Sequence, residues 1–376
     1  MLDPDTPPPI RPELAALPGY EPVEPVAALA QRLALDPATV LKLDANENPF
    51  GTPAAVQQAI AEAGSYALYP DPGQRELREA LGLHLNVDAG RIVAGAGSDE
   101  LIDLTLRALA TPDQRVLICP PTFGMYGFLC DLHGIERDEV ERKADFSLDL
   151  DAVLAAVTDR TALILLASPN NPTGNALSDG ELSALLATGA TVVLDEAYAE
   201  FAGRTYVSWV MEHPRLIVLR TFSKWAGLAG LRVGFGVFPP SVAEVLMSIK
   251  QPYNVNLAGE VAALAALAHA DEYGVQIEAL VAVRNDLAAR MAEFAWIHPA
   301  PSDANFLLCR VDGETDGTHS AGAALRDAFA QEGVFVRYFD SPERLRGYIR
   351  ISVPRPDQLE DLMERLKRAA IVAGLV

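Results

Sequence analysis

Residues Leu216–Gly236 read LIVLRTFSKWAGLAGLRVGFG. A β-rich apolar run opens the stretch, a loop bearing hydroxyls and a lysine follows, and a second strand-like run beginning at Arg232 closes it. The same order recurs upstream. RIVAG (Arg91–Gly95) leads into GAGSDE and the helical SDELIDLTLRAL, and RVLIC (Arg115–Cys119) ends at PPTFGMY. ALILLA (Ala162–Ala167) runs into SPNNPTG, and TVVL (Thr191–Leu194) runs into DEAY. Apolar runs bounded by loops and separated by helices predict an α/β fold whose mostly parallel sheet is covered by helices on both faces. Ligands of such sheets lie beyond the carboxyl ends of the strands, where these polar segments fall.

The 376 residues predict about two domains, at roughly 150 residues each. After about Leu257 an Ala-rich helical region precedes three strand-like pieces, NFLLCRV, VFVRYF and YIRISV, which read as a smaller α+β unit. The expected division is an N-terminal arm plus part of the small unit (1–45), a large unit (46–265) and a small C-terminal unit (266–376). Up to about Pro25 the chain is Pro-rich and reads as an extended arm. It carries no apolar signal-peptide core, and no apolar run approaches the roughly 20 residues of a membrane span. A formal charge of −21 argues against nucleic-acid or polybasic membrane binding, although local arginines can still hold an anionic substrate. Cys119, Cys130 and Cys309 are odd in number and far apart. Neither structural zinc nor a disulfide framework is expected, and a reducing cytoplasm is the simplest setting.

Lys224 is one of five lysines in a chain that otherwise prefers arginine. Arg keeps its proton in proteins, whereas a desolvated Lys can lose it and become a nucleophile. Taken singly, each candidate has an ordinary alternative: Lys224 an ion pair or a snorkelling side chain, Asp195 a helix cap, Tyr198 a core position. GAGSDE suits either a phosphate at a helix N-terminus or a plain glycine turn with a capping Ser98 or Asp99. A dinucleotide fingerprint is disfavoured because Glu100 stands where its third Gly belongs.

Together, LDANENPFG, YPDP, GAGSDEL, PPTFGMY, SPNNPTG, VVLDEAYAEF, RTFSKWAGLAGLRVGF, QPYNVN, SDANFLL and YIRIS resemble, in order, the fold-type I pyridoxal-phosphate aminotransferases, and within them the histidinol-phosphate aminotransferases. The resemblance spans nearly the whole chain. It implies that Lys224 forms a Schiff base with pyridoxal 5'-phosphate and later acts as the base that moves the substrate proton. Asp195 would pair with the pyridine nitrogen, Tyr198 and Asn171 with the ring's phenolic oxygen, and Phe123 would stack on the ring. The cofactor phosphate would sit between the amides of Gly97, Ser98 and Asp99 and the side chains of Thr221, Ser223 and Arg232. Tyr69 would reach that phosphate from a neighbouring subunit, making the enzyme a homodimer with shared sites. Arg350 would clamp the substrate anion with Arg337 helping to bind the substrate phosphate, Asn305 would steady Arg350, and Tyr20 would close over the substrate.

The implied reaction belongs to histidine biosynthesis: ping-pong transfer between histidinol phosphate and 2-oxoglutarate, giving imidazole acetol phosphate and L-glutamate. An aminotransferase for aromatic amino acids is the nearest alternative, followed by a decarboxylase of a phosphorylated amino acid. A non-catalytic module that kept the fold is a third. Two departures bear on the substrate. Pro354 stands where the family usually has Gly, and Phe123 stands where the subgroup commonly has Tyr.

Overall fold

A computed structural model describes residues 24–64, 66–313 and 320–376, together with 8, 10–17 and 19. Tyr20 therefore lies outside the described residues. Twelve strands run in chain order through the described residues. They are β1 (Leu41–Leu43), β2 (Ile92–Gly95), β3 (Arg115–Ile118), β4 (Glu136–Glu139), β5 (Thr161–Ala167) and β6 (Thr191–Asp195). The rest are β7 (Leu216–Thr221), β8 (Gly234–Val237), β9 (Ile297–Pro299), β10 (Phe306–Val311), β11 (Val334–Tyr338) and β12 (Tyr348–Ser352).

Seven of them form one sheet in the order β2-β8-β7-β6-β5-β3-β4. Its pairs β3–β4, β3–β5, β5–β6 and β6–β7 are parallel, and only β8 runs against its neighbours. Alternate residues feed two separate cores, as the two-residue strand period requires. Val116, Leu163, Leu165, Val193, Ile217 and Leu219 face one core, with Leu101, Ile102 and Leu246 from covering helices. Leu117, Ile164, Leu166, Val192, Leu194 and Val218 face the other. Each such buried side chain contributes about 1.5–3 kcal/mol, which fixes where the strands end and hence where the polar loops emerge.

The remaining five strands make a second sheet, β1-β11-β12-β10-β9. Here β1 pairs parallel with β11, Leu41 opposite Val334, while Arg337 and Arg350 face each other across the antiparallel β11–β12 pair. Where the sequence predicts an extended arm, the described part holds a short helix, Pro12–Ala15, whose proline sits in the first turn, the one helical position where its missing N–H is harmless. Among the described residues, no helix is long and apolar enough to cross a membrane.

The two sheets meet closely at one loop. Asp303 donates its backbone N–H to the Gly174 carbonyl at 2.7 Å. Gly174 has φ +82°, and a Cβ there would lie 2.4 Å from Ser302 Oγ, so only glycine fits.

Candidate active site

Beyond the carboxyl ends of β5, β6 and β7, a cavity of about 620 Å³ is lined by Lys224, Asp195, Tyr198, Asn171, Phe123 and Arg350, among others. Ser98, Asp99, Thr221, Ser223, Arg232 and Arg337 also reach it. Residues scattered over more than 250 positions thus converge where a parallel sheet presents its loops.

Lys224 follows β7 by three residues, and its amine donates to the Ala45 carbonyl at 3.1 Å. Burial first, then the positive charge of Arg350, lowers its pKa from 10.5 to about 8. A neutral, nucleophilic amine is therefore accessible near neutral pH. Asp195 closes β6. Tyr126 donates its phenol to Oδ2 at 2.9 Å, and the Ala197 N–H donates to Oδ1 at 3.1 Å. Burial dominates these bonds and raises the carboxyl from 3.8 to about 6. Among the described residues no ion pair offsets that burial.

The Tyr198 hydroxyl accepts from Asn46 Nδ2 at 3.0 Å. Asn171 offers its carboxamide oxygen to Arg350, and the second Arg350 nitrogen reaches the Asp44 carbonyl at 2.7 Å. Asn305 points elsewhere than expected: it donates to the Asn46 carbonyl at 3.0 Å, so the bonds described for Arg350 come from Asn171 and Asp44 instead. Phe123 packs edge-on against Tyr126, with ring centroids 5.6 Å apart.

The anion cradle depends on small residues. Gly97 (φ +84°) precedes the helix Ser98–Leu109, and a Cβ there would lie 2.6 Å from Arg232 Nη2. A Cβ on Gly234 would lie 2.5 Å from the Ser98 nitrogen. Thr221 donates its hydroxyl to Ser223 Oγ at 2.9 Å, and Arg232 pairs with the Asp99 carboxylate at 2.9 Å. Helix-end amides, two hydroxyls and a guanidinium make a site for a phosphate dianion. The amine, carboxylate, phenol, amide and phosphate cradle together fit a phosphorylated pyridine aldehyde.

Tyr69 is 81% exposed, stacks on Tyr253 with centroids 4.4 Å apart, and does not line this cavity within its own chain. Two participants escape the sequence reading. Tyr126 lies three residues after Phe123 in the same PPTFGMY segment, which could have drawn attention to it. The segment Asp44–Asn46 lies inside LDANENPFG but meets the site only through tertiary contacts spanning 152 residues or more.

The family model for aminotransferase class I and II matches residues 38–366. A curated histidinol-phosphate aminotransferase of Roseiflexus castenholzii is 46% identical over 96% of this chain and 98% of its own length. Histidinol-phosphate aminotransferase 1, chloroplastic, of Arabidopsis thaliana is 44% identical over 96% of this chain and 85% of its own. Among solved structures, histidinol-phosphate aminotransferase of Sinorhizobium meliloti in complex with pyridoxal-5'-phosphate superposes with a TM-score of 0.84 and 27% identity, covering 98% of both chains. Built on that fold, around a buried lysine and carboxylate at the strand ends, this chain belongs to the aminotransferase class I and II family.

Proposed function

We propose that the chain binds pyridoxal 5'-phosphate at Lys224 and exchanges an amino group between histidinol phosphate and 2-oxoglutarate, releasing imidazole acetol phosphate and L-glutamate by ping-pong transfer. The carrying observation is the Arg337–Arg350 pair, set opposite each other on β11 and β12 in the cavity that holds Lys224. A pair of guanidinium groups accepts a phosphate or a carboxylate in turn, as two anionic substrates sharing one pocket require.

Bound in the cavity, the cofactor supplies an electron-accepting ring that carries the amino group between half-reactions. Asp195 would hold positive charge at the ring nitrogen, and Tyr198 and Asn171 would bracket the phenolic oxygen. Gly97, Ser98, Asp99, Thr221, Ser223 and Arg232 receive the phosphate. Lys224 would carry the substrate proton, a task suited to an amine with a pKa of about 8. Phe123 lines the cavity and Phe339 lies under the Arg350 guanidinium, flat apolar faces suited to an aromatic ring.

Exposed Tyr69 supports a homodimer in which this residue completes the partner's phosphate site; the role of Tyr20 over the substrate rests on the resemblance alone. The two sheets support a division into 1–45, 46–265 and 266–376. Three buried, unpaired thiols support a cytoplasmic setting.

The test compares histidinol phosphate, phenylalanine and tyrosine as donors to 2-oxoglutarate, with histidinol phosphate expected to give the highest kcat/KM. Phenylalanine as the clearly better donor would replace the substrate assignment and leave the family intact. L-glutamate should also convert the bound cofactor to its amine form, a change a decarboxylase would not show.

A further inference from the structure

The segment Asp44-Ala45-Asn46 leaves β1 of the small sheet and crosses the cavity, and three successive residues touch three different functional groups. The Asp44 carbonyl accepts from Arg350, the Ala45 carbonyl from Lys224, and Asn46 Nδ2 donates to the Tyr198 hydroxyl. Asn46 itself is 1% exposed and has φ +56°, a left-handed conformation that Asn tolerates better than most residues.

The direction of its side-chain bond is set from β12. Ser352 Oγ accepts the Asn46 backbone N–H at 2.9 Å. The hydroxyl therefore has its own proton left to donate, and it gives it to Asn46 Oδ1 at 3.1 Å. With its oxygen so engaged, the carboxamide turns its Nδ2 toward Tyr198. Ser352 stands two residues beyond Arg350, on the same face of the strand. Asn305 Nδ2 adds a bond to the Asn46 carbonyl at 3.0 Å.

From this chain of contacts we infer that Asn46 is a positioning residue: by occupying an acceptor lone pair of the Tyr198 hydroxyl, it directs the phenolic proton into the cavity, and through Ser352 it ties that orientation to the strand bearing the substrate-clamping Arg350. The inference rests on the proposed cofactor site. A hydroxyl that accepts one hydrogen bond is polarised to donate another more strongly. Asn46 would thus govern how firmly Tyr198 donates to the phenolic oxygen of a bound cofactor, and a firmer donation would weaken that oxygen's hold on a neighbouring proton.

The test follows the pH midpoint of the bound cofactor's absorbance, and cofactor affinity by titration of the cofactor-free protein. In wild type, absorbance that vanishes from Lys224→Ala checks the cofactor site itself, so failure of that reading is seen separately. Asn46→Gly keeps the left-handed backbone and removes the donor. Its midpoint should rise by about half a unit, the size of one neutral hydrogen bond. Asn46→Asp, which also tolerates that backbone, captures the phenolic proton and should raise the midpoint further. Ser352→Ala should give a smaller rise, because the Asn46 amide is then free to flip. In a Tyr198→Phe background, Asn46→Gly should shift nothing more. A midpoint unchanged in both Asn46 variants, or an equal shift with and without the Tyr198 hydroxyl, would overturn the inference. Should Asn46→Gly fail to fold, Asn46→Asp and Ser352→Ala decide the matter on the same two readouts.

Discussion

The two halves of the cavity are built differently. On the cofactor side, groups sit on loops that end β6 and β7, and many of their contacts are local. Asp195 bonds Ala197, Thr221 bonds Ser223, and Arg232 reaches the Ala229 carbonyl. On the substrate side, Arg337 and Arg350 lie within strands, and Arg350 is held by groups 179 and 306 residues away in the chain. The first half adds these local bonds to long-range ones, such as Lys224 to Ala45 and Asp195 to Tyr126, whereas both bonds described for Arg350 come from far along the chain. Substitutions on the cofactor side should therefore affect both amino donors alike, whereas those on the substrate side should separate them.

The sharpest break is expected at Lys224. Lys224→Ala should lower kcat about 10⁴-fold for histidinol phosphate and glutamate equally, and Lys224→Arg should not rescue it because the guanidinium stays protonated. Only the neutral amine attacks an aldehyde, so capture of pyridoxal phosphate by cofactor-free protein should accelerate as pH rises through about 8, well below the 10.5 of an ordinary lysine. A midpoint near 10.5 in stopped-flow absorbance would contradict the burial described here.

Asp195→Asn should lower kcat by about 10²-fold or more for both donors, since the ring nitrogen loses its counter-charge. The same change should stabilise the cofactor-free protein. Folding raises this carboxyl from 3.8 to about 6, so its contribution to stability is full below pH 4 and drains away as pH rises through 6. At pH 7 the neutral amide avoids burying an ionised group, and calorimetry should show a gain of about 2 kcal/mol.

Arg337→Ala tests the other side of the comparison. It should reduce kcat/KM for histidinol phosphate about 10-fold more than for glutamate, the worth of one charge-assisted hydrogen bond to a phosphate. Equal losses would remove the substrate phosphate from its role. Smallest is Gly97→Ala, where the new methyl displaces the Arg232 guanidinium from 2.6 Å. Cofactor affinity should weaken by about 5-fold with both donors affected alike, measured by equilibrium titration.

The same contrast governs what could be read from sequence. Apolar runs such as ALILLA, TVVL and LIVLR announce buried parallel strands, and Asn171, Asp195 and Lys224 at or just beyond their ends line one cavity. β4 is hidden because ERDE is an exposed edge, where charge protects an unpaired ladder and erases the apolar signal. β1 is hidden for another reason: its three residues pair with a strand some 290 positions away. Tyr126 looks like a core aromatic until its hydroxyl is seen on Asp195. The resemblance places Asn305 beside Arg350, but the bond it makes is decided by a backbone carbonyl that no sequence pattern advertises.

A glycine pressed against Ser302 joins the Asn171 turn to the loop between β9 and β10 of the smaller sheet, so the two sheets share a contact at that point. A shift of the arginine-bearing strands would then be felt at Asn171, the residue proposed to bracket the ring. If those residues act as proposed, a change in how the anion is gripped and a change in the amide beside the ring would be coupled, and selection for a new substrate would have to reshape both at once.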